Sequence, residues 1–264
     1  MASTLAPFFP GVTVVNRWVI PQAMPRRLTI TRRAATAARW PAGVLKTGWD
    51  YLWRTTPMTR RQEAGSVPDD EPPPLPDGTD RSDHQGVEDG YGPLMHRRYV
   101  ARIRDAELTA QELMQTFAGL PDRAAPKALA SFVKVRGEEG VLRVGDEFTV
   151  RMPGPWDGPV RVVEVDEAGF DLATLDGHLE AGRIRFTAAD LGPAALEVRI
   201  EAWARGGDRI SNLLFDRLPF NKEVQLHMWT SVLERLIKLS GGTRDGRVDI
   251  ATRRVDPAQL AHAR

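Results

Sequence analysis

From residue 148 onward the chain alternates between apolar and polar side chains. Phe148, Val150 and Met152 share one side of an extended segment. Val160 and Val162 repeat the pattern, with Val163 and Val165 opposite; 170–175 follows, then Ile184 and Phe186, then Leu196, Val198, Ile200 and Ala202. Side chains on a strand point alternately to its two faces, so each run predicts a strand with one apolar side. The turn dipeptides Gly145-Asp146, Asp157-Gly158 and Asp176-Gly177 separate the runs. Such short connections predict an antiparallel meander. Before it, 94–104 reads as a strand and 129–136 as another. Between them 107–119 reads as a helix, with Thr109 as N-cap and Glu112 three residues on, the spacing of a capping box.

The period changes near the end. Phe220, Val224, Met228, Trp229, Val232, Leu233, Leu236, Ile237 and Leu239 form a wide stripe at helical spacing. Lys222, Glu223, Gln225, Glu234 and Lys238 fill the other face, and Gly241-Gly242 ends the helix. Pro219 separates it from an earlier helical turn at 210–218. An antiparallel sheet with one apolar face needs a cover, and this helix is the one element long enough. The predicted fold is α+β: a curved antiparallel sheet gripping a long C-terminal helix, with a cavity expected between them.

Charge divides the chain further. Residues 1–61 hold 10 Lys and Arg against one acid, whereas 62–93 hold nine acids and one arginine. The second stretch carries Pro72, Pro73 and Pro74 in a row and little apolar area to offset ordering, so it reads as an acidic, Pro-rich disordered linker. The expected domains are therefore a basic, Trp-rich arm (1–61), this linker (62–93), the sheet–helix domain (94–242) and a flexible tail (243–264).

The arm is partly helical by pattern. Leu45, Trp49, Leu52 and Trp53 fall on one face, with Arg39, Lys46 and Arg54 around them. That composition suits an anionic membrane surface, or packing of the Trp face on the domain or on a protein partner. Nucleic acid is disfavoured, because the arm lacks a recognisable reader. The first 25 residues have four prolines and no basic n-region, so they do not read as a secretory signal. The expected location is cytoplasmic, at most peripheral to a membrane, since no run of 18 apolar residues occurs.

The stretch Thr174-Leu175-Asp176-Gly177-His178, followed by Glu180 and Gly182, together with the element order, resembles the START-like (helix-grip) superfamily. More closely it is similar to a bacterial branch of uncharacterised function, the domain-of-unknown-function family 1990. The resemblance covers roughly 94–242. The sequence departs from that branch at Leu179, where proline is usual, and at Arg183-Ile184, where paired acids are usual. The superfamily implies binding of lipids, polyketides or other apolar molecules in a central cavity.

Candidate chemistry is sparse. His178 and Glu180 sit two apart, a spacing that puts both on one face of a strand for general acid–base work; the alternative is that His178 caps a hairpin and Glu180 pairs with Arg183 or a neighbouring arginine. Trp156 lies in the rigid Pro-flanked stretch 150–160, which reads either as a lip of the cavity or as a tight, well-packed strand connection. With Arg183, Trp203 and Trp229 these are the candidate ligand-binding residues. Arg98, Arg102, Arg104, Arg183, Arg185 and Arg199 recur at alternate positions, either as an anion-binding face or as an outer face of ion pairs. Trp203 shares that face by parity. No cysteine, HExxH, P-loop or GxGxxG is present, so neither a metal nor a cofactor is expected. The reading is a non-catalytic binder of an apolar small molecule or lipid. Its alternatives are a cavity enzyme of cyclase or hydrolase type using His178 and Glu180, and an interaction protein docking through the arm.

Overall fold

The computed structural model describes residues 56–67, 70–119, 121, 131–151, 157–208 and 219–262. In chain order the elements are β1 (Met58–Ala64), a 3-10 turn (Val87–Asp89), β2 (Tyr91–Arg104), α1 (Ala110–Gly119), β3 (Ser131–Arg136), β4 (Glu147–Arg151), β5 (Asp157–Asp166), β6 (Gly169–Thr174), β7 (Glu180–Gly192), β8 (Ala195–Gly206), α2 (Pro219–Leu239), β9 (Thr243–Val255) and α3 (Pro257–His262). The strands form one nine-stranded sheet in the order β1-β9-β2-β8-β7-β6-β5-β4-β3. Every pairing is antiparallel except β1 with β9. From β8 to β3 this is the expected meander, β2 joins it beside β8 by a crossover, and α2 lies across β2, β8 and β9.

The alternation sorts the side chains as anticipated. Tyr99, Ala101 and Ile103 of β2, Phe186 of β7, Val198 and Ile200 of β8 and Val248 and Ile250 of β9 turn to the inner face. They pack on Leu113, Met114 and Phe117 of α1 and on Val232, Leu233 and Leu236 of α2. Each such large side chain withdrawn from water contributes about 1.5–3 kcal/mol. Phe117 tilts onto Phe170, Phe170 stacks on Phe186, and Trp229 meets Phe186 edge-on. The capping box forms: Thr109 N–H donates to Glu112 Oε2 at 2.8 Å, and Glu112 N–H to Thr109 Oγ1 at 3.3 Å. Helix 107–119 therefore starts at Ala110. Gly241, at φ +74°, lets the chain leave α2, a conformation that strains any side chain.

Two expectations fail, both for long-range reasons. The tail 243–264 is not flexible here. Its first 13 residues are β9, inserted between β1 and β2, and α3 follows. Val248 and Ile250 bury on the inner face, while Val255 joins Leu94, Trp203 and Leu260 in a second apolar cluster on the outer face.

The acidic stretch is not a free linker either. Its start belongs to β1, and its described remainder crosses the outer face. There the sheet supplies arginines. Arg183 Nη1 donates to the carbonyls of Pro73 and Pro74 at 3.1 and 3.2 Å. Arg161 reaches the Asp80 carbonyl at 3.0 Å and Asp83 at 2.8 Å. Arg205 donates to the Val87 and Gly92 carbonyls, both at 2.9 Å. Proline lacks an N–H but keeps a strong carbonyl acceptor, and cationic donors meet that need. Composition alone cannot register partners a hundred residues away.

Candidate functional site

The motif at 174–182 is a knot of short hydrogen bonds. The Thr174 hydroxyl donates to the Gln85 carbonyl at 2.7 Å and accepts Gly182 N–H at 2.8 Å. Gln85 N–H donates to the Thr174 carbonyl at 2.9 Å. The Gln85 side chain then spans the turn: its Nε2 donates to the carbonyls of His178 and Glu180, both at 2.9 Å, and its Oε1 accepts Gly177 N–H at 3.2 Å. Gly177 sits at φ +91°, which explains the glycine. A Cβ on Gly182 would lie 1.9 Å from the Trp203 carbonyl, so close strand approach requires that glycine too.

His178 is absorbed into this knot. Its Nδ1 accepts Glu180 N–H at 2.9 Å, and its Nε2 edge packs on Gly158, where a Cβ would be 2.7 Å away. Burial pushes its pKa down to about 4, so the ring is neutral. The Glu180 carboxylate turns elsewhere: Gln225 Nε2 of α2 donates to its Oε1. The two side chains therefore do not share one task, and the acid–base pair expected from their spacing is replaced by the capped hairpin.

Glu180 belongs to a different group. Arg97 of β2 lies on the same inner face as Tyr99, and its Nη1 donates to Gln225 Oε1. One carboxamide thus joins a guanidinium on β2 to a carboxylate on β7. The strand between them, β8, offers only small side chains at this level: Ala202 pairs with Arg97 and Ile184, and Ala204 with Gly182. Burial holds the Glu180 carboxyl above its usual range, with Arg97 and the Gln225 amide pulling the other way. The buried Tyr99 hydroxyl, pushed up to about 12 by burial, hydrogen-bonds with Arg97 and feels the Glu180 charge.

Of the other sequence-predicted residues, Trp229 is on α2 and faces the sheet through Phe186. Arg183 and Trp203 are corrected: both lie on the outer face, away from α2. Parity opposite to Phe186 and Ile200 puts them there, and residues of the acidic stretch cover them. Five of the six alternating arginines are ion-paired, and Arg98 lies near Glu201. Arg183 and Arg185 share Glu164 and Asp171, and Arg102 and Arg199 meet Glu197. Arg183 is only 3% exposed and is covered, whereas Arg102 is 65% exposed, so the face is covered at β7 and solvated at β2. Trp156 and the arm residues Arg39, Leu45, Lys46, Trp49, Leu52, Trp53 and Arg54 lie outside the described residues, as does 210–218.

Sequence reasoning missed Arg97 and Gln225. The signal for Arg97 was its parity with Tyr99, Ala101 and Ile103, an arginine on an apolar strand face. Gln225 was assigned to the polar side of α2, yet it precedes Met228, Trp229 and Val232 at helical spacing and meets the sheet.

A second polar cluster sits on the outer face. His96 Nδ1 bonds Asp70 at 2.8 Å, and Nε2 bonds Glu201 at 2.7 Å. Its ring stacks on Trp203, with centroids 5.1 Å apart. Asp70 is fully buried, accepts Ser66 N–H at 2.7 Å and has Arg253 at 3.4 Å. Burial disfavours the His96 cation, but hydrogen bonds to Glu201 and Asp70 outweigh it and raise its pKa.

Taken without its two added strands, the sheet runs β2-β8-β7-β6-β5-β4-β3 with α2 on its inner face, a curved antiparallel sheet gripping a long helix. The chain belongs to the family described as a domain of unknown function (DUF1990), whose model matches residues 80–234, more than half of the chain. No curated protein matches it. Solved structures similar to it include a hypothetical protein from Helicobacter pylori, at 11% identity and TM-score 0.42 over 54% of this chain and 86% of that one. Norcoclaurine synthase from Thalictrum flavum aligns at 12% identity and TM-score 0.41, over 61% and 94%. A START superfamily protein from Mycobacterium smegmatis aligns at 12% identity and TM-score 0.41, over 55% and 97%. Among the described residues no helix is long and apolar enough to cross a membrane, and no group of acids and histidines is placed to hold a metal.

Proposed function

We propose that the protein binds an apolar small molecule or lipid between the sheet and α2, without transforming it. The observation that carries this reading is the layout of the inner face. It is apolar from Phe117 and Phe186 through Tyr99, and it ends in the trio Arg97, Glu180 and Gln225, beside the half-buried Trp229. An apolar floor with a few convergent polar groups at one end is the usual build of a small-molecule site. Catalysis is not favoured, because His178, the histidine expected to act with Glu180, is neutral and committed to the backbone of its own turn.

The test is native mass spectrometry of the full chain purified from its host, paired with titration of the neutral apolar dye Nile red. The expected results are a co-purified species of lipid mass and saturable dye fluorescence. A single unliganded mass with no saturable dye binding overturns the reading.

A further inference from the structure

We infer that the site selects a neutral head group presenting a carbonyl and an N–H side by side, a carboxamide, held between Arg97 and Glu180. The inference rests on the binding reading above and specifies its polar end.

The Gln225 side chain supplies the argument. Arg97 and Glu180 stand on strands separated by β8. Two strand spacings are about 10 Å, too far for the side chains to share a hydrogen bond without leaning together over β8. They are joined instead through a carboxamide, whose oxygen takes the guanidinium N–H and whose nitrogen gives to the carboxylate. The pair thus forms a slot with a donor wall and an acceptor wall, floored by Ala202, Ala204 and Gly182. An alkyl carboxylate meets Glu180 as a like charge. An alkyl ammonium meets Arg97 the same way. A carboxamide satisfies both walls and leaves neither half-buried charge unpaired. Gln225 occupies the slot in the free protein. A ligand amide must displace a group tethered in the same molecule, so its apparent affinity is reduced by the fraction of time the slot is closed.

The experiment uses the full chain and displacement of Nile red by oleamide, oleate and oleylamine, which share one hydrocarbon tail. Oleamide is expected to displace the dye at concentrations about tenfold below the other two. Glu180→Gln removes the repelling charge and keeps the shape, so oleate should gain about tenfold relative to oleamide. Gln225→Ala opens the slot and should tighten oleamide by about tenfold. Equal displacement by all three ligands, ratios unmoved by Glu180→Gln, or unchanged oleamide binding in Gln225→Ala overturns the head-group assignment while apolar binding stands. Failure of Nile red and all three ligands to bind overturns the binding reading itself, and this inference with it.

Discussion

The two faces of the sheet each carry a small polar cluster built around one bridging side chain, and they are built to different ends. On the outer face His96 bridges Asp70 and Glu201, lies flat on Trp203, and is roofed by the chain's own acidic segment. Each member has further partners: Ser66 and Arg253 for Asp70, Arg98 and Arg199 near Glu201. On the inner face Gln225 bridges Arg97 and Glu180 at the edge of an apolar surface, with alanines beneath. The outer cluster is a fastening, since a buried charge that loses one partner is stranded. The inner one is a slot, since its bridging group is neutral and exchangeable. Substitutions should therefore separate the faces: outer ones cost stability, inner ones change binding.

The largest effect is expected at Arg183. It is almost wholly buried between the Pro73 and Pro74 carbonyls, Glu164 and Asp171, and Asp171 itself is 1% exposed. Arg183→Leu leaves that carboxylate with Arg185 alone and should cost about 3–5 kcal/mol in urea unfolding. A loss under 1 kcal/mol would mean that the acidic segment does not bind the outer face through this residue.

Gln85 comes next, because it belongs to the outer segment yet holds the turn that carries Glu180. Gln85→Ala removes the three side-chain bonds to Gly177, His178 and Glu180 and should cost about 2 kcal/mol. It should also blur the oleamide preference, since Glu180 loses its fixed start. If stability falls while ligand ratios hold, the two faces are independent.

The fastening itself titrates. His96 is raised above its ordinary 6.5, so its stabilisation is complete below pH 6.5 and fades as pH rises through the raised value. Asp70 and Glu201 are lowered from 3.8 and 4.5, through the His96 hydrogen bonds against the opposing effect of burial, so theirs is present above those values and fades in acid. Together they predict a plateau of stability between about pH 4.5 and 6.5 and a decline above it. In His96→Gln the decline above pH 6.5 should vanish. Parallel pH curves for the two proteins would place the raised pKa elsewhere.

How far the sequence foretold this contrast depends on how local the cause is. The meander, the Thr109 cap, the long helix and the outward parity of Trp203 follow from spacing, and spacing is local. The added strands do not. β1 reads Met-Thr-Arg-Arg-Gln-Glu-Ala, with no alternation to notice, and is strand only because β9 lies beside it. β9 buries Val248, Ile250 and Val255 among charged residues whose partners, such as Asp70 for Arg253, sit far back in the chain. The motif at 174–182 was visible, but its meaning was not. It resembled a place for chemistry, and it is a scaffold that aims Glu180. Gln225 escaped notice because a glutamine near the start of an amphipathic helix is equally at home on either side.

The smallest effect on stability, and the one that most sharpens the contrast, is expected at Glu180. Burial raises its pKa, so above its ordinary 4.5 the folded protein carries a charge that water would hold more comfortably. A raised acid favours the folded state at low pH and weighs against it at neutral pH. Glu180→Gln keeps the hydrogen-bonding shape and removes that cost, so unfolding free energy at pH 7 should stay within about 0.5 kcal/mol of the parent or rise slightly. The same variant should change which oleyl head group displaces Nile red. Glu180 is joined to Arg97 through the Gln225 amide at the polar end of the apolar face, which is where a ligand head group would end. A loss of 2 kcal/mol or more in Glu180→Gln, with ligand preference unmoved, would make the inner trio a second fastening and erase the difference between the faces.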